Sequence, residues 1–393
     1  MNEKVDIAYT NPFLADEPAH EYFVGREREL RELRRYLRDA RGGKPTNLYI
    51  VGGGGDGKTS FLLKAVEEAT SQGLLAVYMT IDSTMTLKQV IIQLLEGVLE
   101  ALKDRYNKPE YLDDFRAGKQ GNAATFRIPQ NMITTKYLRQ DLQTILRACE
   151  SLKIRAIVFC LDEGQNLKTV NGQLLAHLRG AIQEIGRGYM IILASLEDIM
   201  PEVSSRYSGV DRFFPNRLSL GPFDADKEAR SCIRRRLQDK SIRFSEQAID
   251  LIVRISGRHP RDIVSISHHA FNNAIDGGVD EVTAEMADSV IYDRFGNKVD
   301  TIRTKLGIIL PPERDTLKKL VSVGGRATTG EIARLLCGDN EECIRRMTKA
   351  LLPDLVHLCS QGICVRESSA QGDVYRVSDA MSVYILAKEL AIQ

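Results

Sequence analysis

The 393 residues carry 54 Lys or Arg against 53 Asp or Glu, so at a net charge of +1 no global field draws the chain to nucleic acid or to an anionic membrane, and any basic surface must be local. With 43% hydrophobic and 27% charged residues the chain can bury sizeable cores in two or three domains. It has no apolar run of about eighteen residues and no basic-then-apolar leader, which predicts a cytoplasmic protein without a membrane span, while seven scattered cysteines lacking C-x-x-C spacing predict reduced thiols and no zinc site.

In chain order, Phe23-Val24-Gly25-Arg26-Glu27 leads into an amphipathic helix with Leu30, Leu33 and Leu37 on one face and arginines around the rest. A short apolar strand, Leu48 to Val51, then empties into Gly52-Gly53-Gly54-Gly55-Asp56-Gly57-Lys58-Thr59, which fits G-x-x-x-x-G-K-[ST], and an apolar-periodic helix begins at Ser60. Glycines let successive backbone N–H groups turn inward as an anion nest at the helix N-terminus. Lys58 is expected to reach the β- and γ-phosphates of ATP and Thr59 to place its hydroxyl on Mg²⁺.

A second strand, 74 to 80, leads into a helix from about Leu87 to Leu102. Residues 104 to 135 mix Gly, Pro, Asn and charge without a sustained period and are expected to form an insertion, either one that contacts a partner or DNA or a passive one. A helix over 138 to 152 precedes Ile154 to Leu161, an unbroken apolar run of the kind that forms a central parallel strand. It ends in Asp162-Glu163. Carboxylates at that edge suit a Mg²⁺ shell (Asp162, with Thr59) and the orientation or deprotonation of an attacking water (Glu163). A further buried strand, Tyr189 to Ala194, ends at Ser195.

The order of the FVGRE box, amphipathic helix, strand and phosphate loop resembles the entry segment of AAA+ and STAND ATPases, notably archaeal origin-recognition ATPases. The resemblance implies an α/β fold, a P-loop parallel sheet flanked by helices over 1–222, then a helical lid over 223–305 and a winged-helix domain over 306–393. It places Val24, Gly25 and Arg26 beside the adenine, Ser195 at the first sensor position, and one of Arg206, Arg212 and Arg217, preferably Arg206, as a finger offered to a neighbouring subunit's ATP. The turn Gly257-Arg258-His259-Pro260-Arg261 resembles the G-x-x-P-R turn of initiator and transposition-regulator ATPases, which makes Arg261 the second sensor.

From Pro311-Pro312 onward, three helices and a hairpin around Ser-Ser-Ala-Gln-Gly-Asp fit a winged helix, with Arg345, Arg346 and Lys349 near the front of the recognition helix. Eleven basic residues are balanced there by eleven acidic ones, which weakens a DNA reading because phosphate contacts dominate DNA affinity. The expectation is a Mg²⁺-dependent ATP-hydrolysing switch that binds ATP and ADP, forms nucleotide-dependent homo-oligomers and works on duplex DNA with a protein partner. The alternative is a STAND-like signalling or defence ATPase whose winged helix docks protein. Basic side chains from Arg234-Arg235-Arg236, Arg345, Arg346 and Lys349 converging on one face would favour DNA; burial of the winged helix against the lid would favour the switch.

Overall fold

The computed structural model describes residues 10–14, 17–106, 135–168, 173–196, 198–369 and 372–392. Nearly all of the insertion expected at 104 to 135 lies outside them. Two units emerge, Asp16–Pro222 and Phe223–Gln393, the second joined by the N-terminal segment. That segment departs from the expected 1–222 division, and packing explains it. Phe13 is fully buried against Phe244 and Phe271, at ring separations of 5.6 and 6.1 Å, and Asn11 Nδ2 donates to His268 O and Asn272 Oδ1. Burying one such ring contributes roughly 1.5–3 kcal/mol.

The first unit is built on five parallel strands, β1 (Leu48–Gly52), β2 (Leu75–Thr80), β3 (Ile157–Asp162), β4 (Tyr189–Ser195) and β5 (Asn216–Leu220), in the order β2-β3-β4-β1-β5. β3 and β4 are buried at every position, as unbroken apolar runs in a parallel sheet must be, whereas β2 at the edge alternates buried and part-exposed residues. The helices are α1 (Glu27–Arg41), α2 (Lys58–Ser71), α3 (Leu87–Tyr106), α4 (Thr135–Ser151), α5 (Gln173–Ile185) and the short α6 (Met200–Arg206) and α7 (Val210–Phe213).

The period of two sorts the strands' side chains into two layers. Tyr49, Phe159, Leu161, Ile191 and Leu193 pack with Leu94 of α3, Leu142 of α4 and Leu178 of α5. Ile50, Val158, Cys160, Ile192 and Ala194 pack on the other face with Leu33 and Leu37 of α1 and Phe61 and Leu62 of α2. Gly52 and Asp162 close their strands at the same, C-terminal edge of this sheet.

In the second unit, α8 (Asp226–Arg236), α9 (Glu246–Ser256), α10 (Pro260–Asp276) and α11 (Ala284–Arg294) form the helical lid, with a short parallel pair of β6 (Arg243–Phe244) and β7 (Glu281–Val282). α9 starts at a Ser245 cap that accepts from Ala248 N at 3.1 Å, and Pro260 occupies the first turn of α10. A helix absent from the sequence reading, α12 (Gly296–Ile308), leads to α13 (Pro311–Ser322), β8 (Arg326–Thr328), α14 (Thr329–Cys337), α15 (Glu341–Ser360), β9 (Cys364–Ser369), β10 (Gly372–Val377) and α16 (Ala380–Glu389). The antiparallel order β8-β10-β9 and this helix sequence are the winged-helix arrangement.

The winged helix is docked on the lid through α16. Tyr384 Oη donates to Asp288 Oδ1 at 2.6 Å, Lys298 Nζ donates to Asp379 Oδ1 at 2.7 Å, and Arg303 pairs with Glu389 at 3.0 Å. A Cβ placed on Gly257 would lie 2.6 Å from that of Ala380, so the turn before α10 touches the first residue of α16.

The expectation of reduced thiols is corrected here. Cys337 and Cys343 form a disulfide between the end of α14 and the first turn of α15, where a tight turn brings their Cα atoms to 5.7 Å; Cys149, Cys160, Cys232, Cys359 and Cys364 are free thiols. The arginines of α8 do not gather on one face. Arg236 is buried and donates to Cys232 O, while Arg234 pairs with Glu246 at 2.6 Å. Three consecutive helical residues span about 200° of the cylinder and cannot share a face. No described helix is long and apolar enough to cross a membrane.

Candidate functional site

The loop between β1 and α2 is fixed by close packing and by its own polar groups. Gly57 sits at φ +84°, a conformation other residues rarely adopt, and a Cβ on Gly52 would lie 2.8 Å from Leu220 O of β5. Asp56 accepts from the N–H of Gly53, bracing the turn across itself. Lys58 lies over this turn, its Nζ donating to Gly52 O at 3.0 Å and Gly53 O at 2.7 Å. Burial pulls the Lys58 ammonium below its ordinary pKa, opposed by the carboxylates of Asp56, Asp162 and Glu163.

Thr59 and Asp162 meet as expected. Thr59 Oγ1 donates to Asp162 Oδ2 at 2.6 Å, and the same oxygen accepts from Tyr78 Oη at 3.0 Å. Tyr78, on β2, was missed by sequence reasoning. A polar ring inside an apolar strand pattern was the available signal. Its hydroxyl is pushed up to about 12, first by burial, so it stays a donor to Asp162 at neutral pH. A hydroxyl and a carboxylate side by side are hard oxygen donors that fit Mg²⁺ and would suit no soft metal.

Beyond Asp162 the chain turns sharply. Glu163 adopts φ +57°, its N–H donating to Asp162 Oδ1 at 2.9 Å, and the short 3₁₀ turn Gly164–Lys168 follows. A Cβ on Gly164 would stand 2.8 Å from Ala194 O, so the turn is pressed against the end of β4. Asn166 Nδ2 anchors it to Ile81 O, just past β2, at 2.7 Å. Gln165 donates to the Glu163 carboxylate and accepts from Leu196 N at 3.0 Å.

Other predicted residues fall elsewhere. Ser195 is fully buried at the end of β4, near the Tyr49 hydroxyl. Ser60 Oγ accepts from Ala19 N at 3.0 Å. Arg26, only 6% exposed and left-handed at φ +62°, spends its guanidinium on main-chain carbonyls of Asp56, Gly221 and Pro222, clasping the phosphate loop to the end of β5. Val24 and Gly25 are half-buried just before it. Gly54 and Gly55 complete the loop's crest, with Gly55 at φ +87°. Arg206 is exposed on α6 and pairs with Glu202 at 3.3 Å; Arg212 is exposed on α7; Arg217 is held by Asp198 at 2.6 Å over the Tyr49 ring. Arg261 belongs to the second unit, in the first turn of α10, beside Asp262, whose carboxyl is raised by burial.

A phosphate loop on the first strand of a parallel sheet, with an acidic pair ending the strand one place beyond its neighbour, defines the P-loop nucleotide hydrolases. Residues 22–193, the part of the chain that carries the phosphate loop and the acidic pair, match the family model described as "AAA ATPase domain". An uncharacterized HTH-type transcriptional regulator, MJ0774 of Methanocaldococcus jannaschii, is 23% identical over 98% of this chain and 94% of its own length. The ORC2 protein of Aeropyrum pernix, solved with ADPNP and ADP, shares the fold at a TM-score of 0.56 and 14% identity, covering 97% of this chain and 98% of that one.

Proposed function

We propose that this AAA ATPase is a Mg²⁺-dependent molecular switch that reads its nucleotide state out on duplex DNA through the winged helix. The observation that carries the chemistry is the Thr59, Asp162 and Glu163 constellation at the mouth of the phosphate loop. The loop amides from Gly52 to Ser60 and the Lys58 ammonium hold the phosphates of ATP, and Glu163 orients a water for in-line attack on the γ-phosphate. Thr59 and Asp162, steadied by Tyr78, would hold Mg²⁺, which supplies charge neutralisation at the phosphate oxygens.

Arg261 serves as the second sensor, and Arg206 as the finger given to the next subunit of a homo-oligomer. Its exposed i,i+4 pair with Glu202 is worth only about 0.3–0.5 kcal/mol and is readily released, whereas Arg217 is committed to Asp198 and Tyr49. Val24 and Gly25 border the base, while Arg26 supports the loop that holds it.

For DNA, the supporting features are the helix-turn-helix pair α14 and α15 and the exposed Arg345, Arg346 and Lys349 near the front of α15. Arg326, Arg366 and Arg376 of the wing sheet are instead paired with Glu367 or Asp373, so the DNA contact is narrow. The docking of α16 on the lid is the arrangement that favours a protein-docking switch, which stands as the second reading. ATP hydrolysis measured with and without duplex DNA at two salt concentrations, with Glu163→Gln as control, separates the two readings. DNA stimulation that fades with salt supports the first; turnover indifferent to DNA removes it.

A further inference from the structure

A cavity of about 150 Å³ lies between α12 and the winged helix, far along the chain from the phosphate loop. Its apolar lining is Ile302 of α12, Ile363 just before β9, Val377 at the end of β10 and Leu386 of α16, all buried. An apolar space of this volume holds a guest about the size of a six-membered ring.

The polar side chains around it are already spent, with one exception. Thr301 Oγ1 donates to Asn297 O at 2.7 Å, and the hydroxyls of Ser378 and Ser382 both donate to Asp379 Oδ2 at 2.9 Å. Lys298 Nζ is neutralised by Asp379 Oδ1 at 2.7 Å. Lys305 Nζ instead donates to a main-chain carbonyl, Gly362 O, at 2.7 Å, and pairs with no carboxylate among the described residues. Gly362 is left-handed at φ +64°, and a Cβ there would stand 3.2 Å from that ammonium, so the turn between α15 and β9 is shaped around it. An ammonium carries three N–H groups, and one carbonyl leaves two of them for a guest.

We infer that this cavity binds a small monocarboxylate with an apolar body, its ring or chain against Ile302, Val377 and Leu386 and its carboxylate on Lys305. Two lysines against one aspartate leave the site a single net positive charge, which one carboxylate meets. The Asp379 carboxylate opposes the second charge of a phosphate monoester. One wall belongs to α12 and the others to the winged helix, so the guest adds a further tie to those of Lys298 with Asp379 and Arg303 with Glu389. Occupancy therefore stiffens the joint that carries the winged helix.

The test is isothermal titration calorimetry and thermal unfolding of the full-length protein with benzoate, hexanoate, benzyl alcohol and inorganic phosphate. The expected result is one saturable site for benzoate or hexanoate with a Kd on the order of 0.1–1 mM, the range open to a guest of about nine heavy atoms, and a higher unfolding midpoint at saturation. Benzyl alcohol binds about tenfold more weakly or less, and phosphate not at all. Lys305→Met keeps the aliphatic stem and weakens carboxylate binding about tenfold or more while leaving benzyl alcohol unchanged. Thr301→Phe, made at an exposed position on the rim, excludes both ring compounds. Unliganded midpoints close to that of the wild type show that the variants fold, and either variant alone suffices. Saturable binding of neither carboxylate to the wild type overturns the inference, as does carboxylate affinity undiminished in a folded variant or phosphate binding as tight as that of benzoate.

Discussion

Asp162 has three donors around one carboxylate: Thr59, Tyr78 and the Glu163 N–H. Losing the tyrosine hydroxyl removes one of them while leaving the ring's packing, and a hydrogen bond of this kind contributes about 0.5–1.5 kcal/mol. Tyr78→Phe is therefore expected to slow turnover about two- to tenfold and to raise the Mg²⁺ concentration for half-maximal rate. A magnesium titration at saturating ATP measures both. Lys58→Ala should abolish binding of a fluorescent ATP analogue, whereas Glu163→Gln should keep that binding and lose hydrolysis. Retained affinity in the Lys58 variant would show that the loop amides suffice.

Ser195 shows how strand parity sets the direction of a side chain. The resemblance placed a polar residue at the end of β4, and the strand delivered it, but side-chain parity sends it to the face of Leu193 and Tyr49. Counting alternation from the buried residues would have given that direction. The meeting of Thr59 with Asp162 was legible because the glycine-rich loop and the acidic pair ending an apolar run are both local patterns. The contacts of Gln165 and Tyr78 were not, because each depends on a neighbouring strand brought in from far along the chain.

Among the elements, the tight turn after β3 is the most sensitive. Gly164→Ala forces a methyl group against Ala194 O and Leu193, and overpacking of this sort costs about 1–3 kcal/mol. Its unfolding midpoint should fall by several degrees in a calorimetric scan, and hydrolysis should fall with it because Glu163 is carried on the same turn. The helix-turn-helix pair offers a second check. Alkylation of the denatured, unreduced chain should label five cysteines, and all seven only after reduction. Seven at the outset would place Cys337 and Cys343 among the free thiols.

The elements were largely legible from period and punctuation. The unbroken run ending at Leu161 read as a central strand, and the amphipathic face of Leu30, Leu33 and Leu37 as a helix. The strand boundaries shifted by a few residues, since propensity locates a strand but its partners decide where pairing begins. α12 escaped because its polar sequence has little periodicity. Its footing comes from Lys298 and Arg303 reaching Asp379 and Glu389, which lie some eighty residues further on.

For the whole molecule, assembly is the main prediction. If Arg206 acts on a neighbour's ATP, inactive Arg206→Ala protein mixed with inactive Lys58→Ala protein should recover part of the wild-type rate, since one supplies an intact loop and the other an intact finger. No recovery at any mixing ratio would return Arg206 to a surface role. The division near Pro222 was legible from the change to helical composition after it, but the placing of the N-terminal segment was not, because nothing local in Asn11 or Phe13 names a partner 257 residues away.

That distance sets an order of events on the ribosome. The strands and helices of the nucleotide-binding unit emerge and can close on themselves while Phe13 still has nothing to pack against. At roughly 5–20 residues per second, about 10–50 seconds separate the synthesis of Asn11 and Phe13 from that of His268 and Phe271. Asn11 and Phe13 thus find their place long after they are made, and during that interval an aromatic side chain waits exposed to whatever the nascent chain meets.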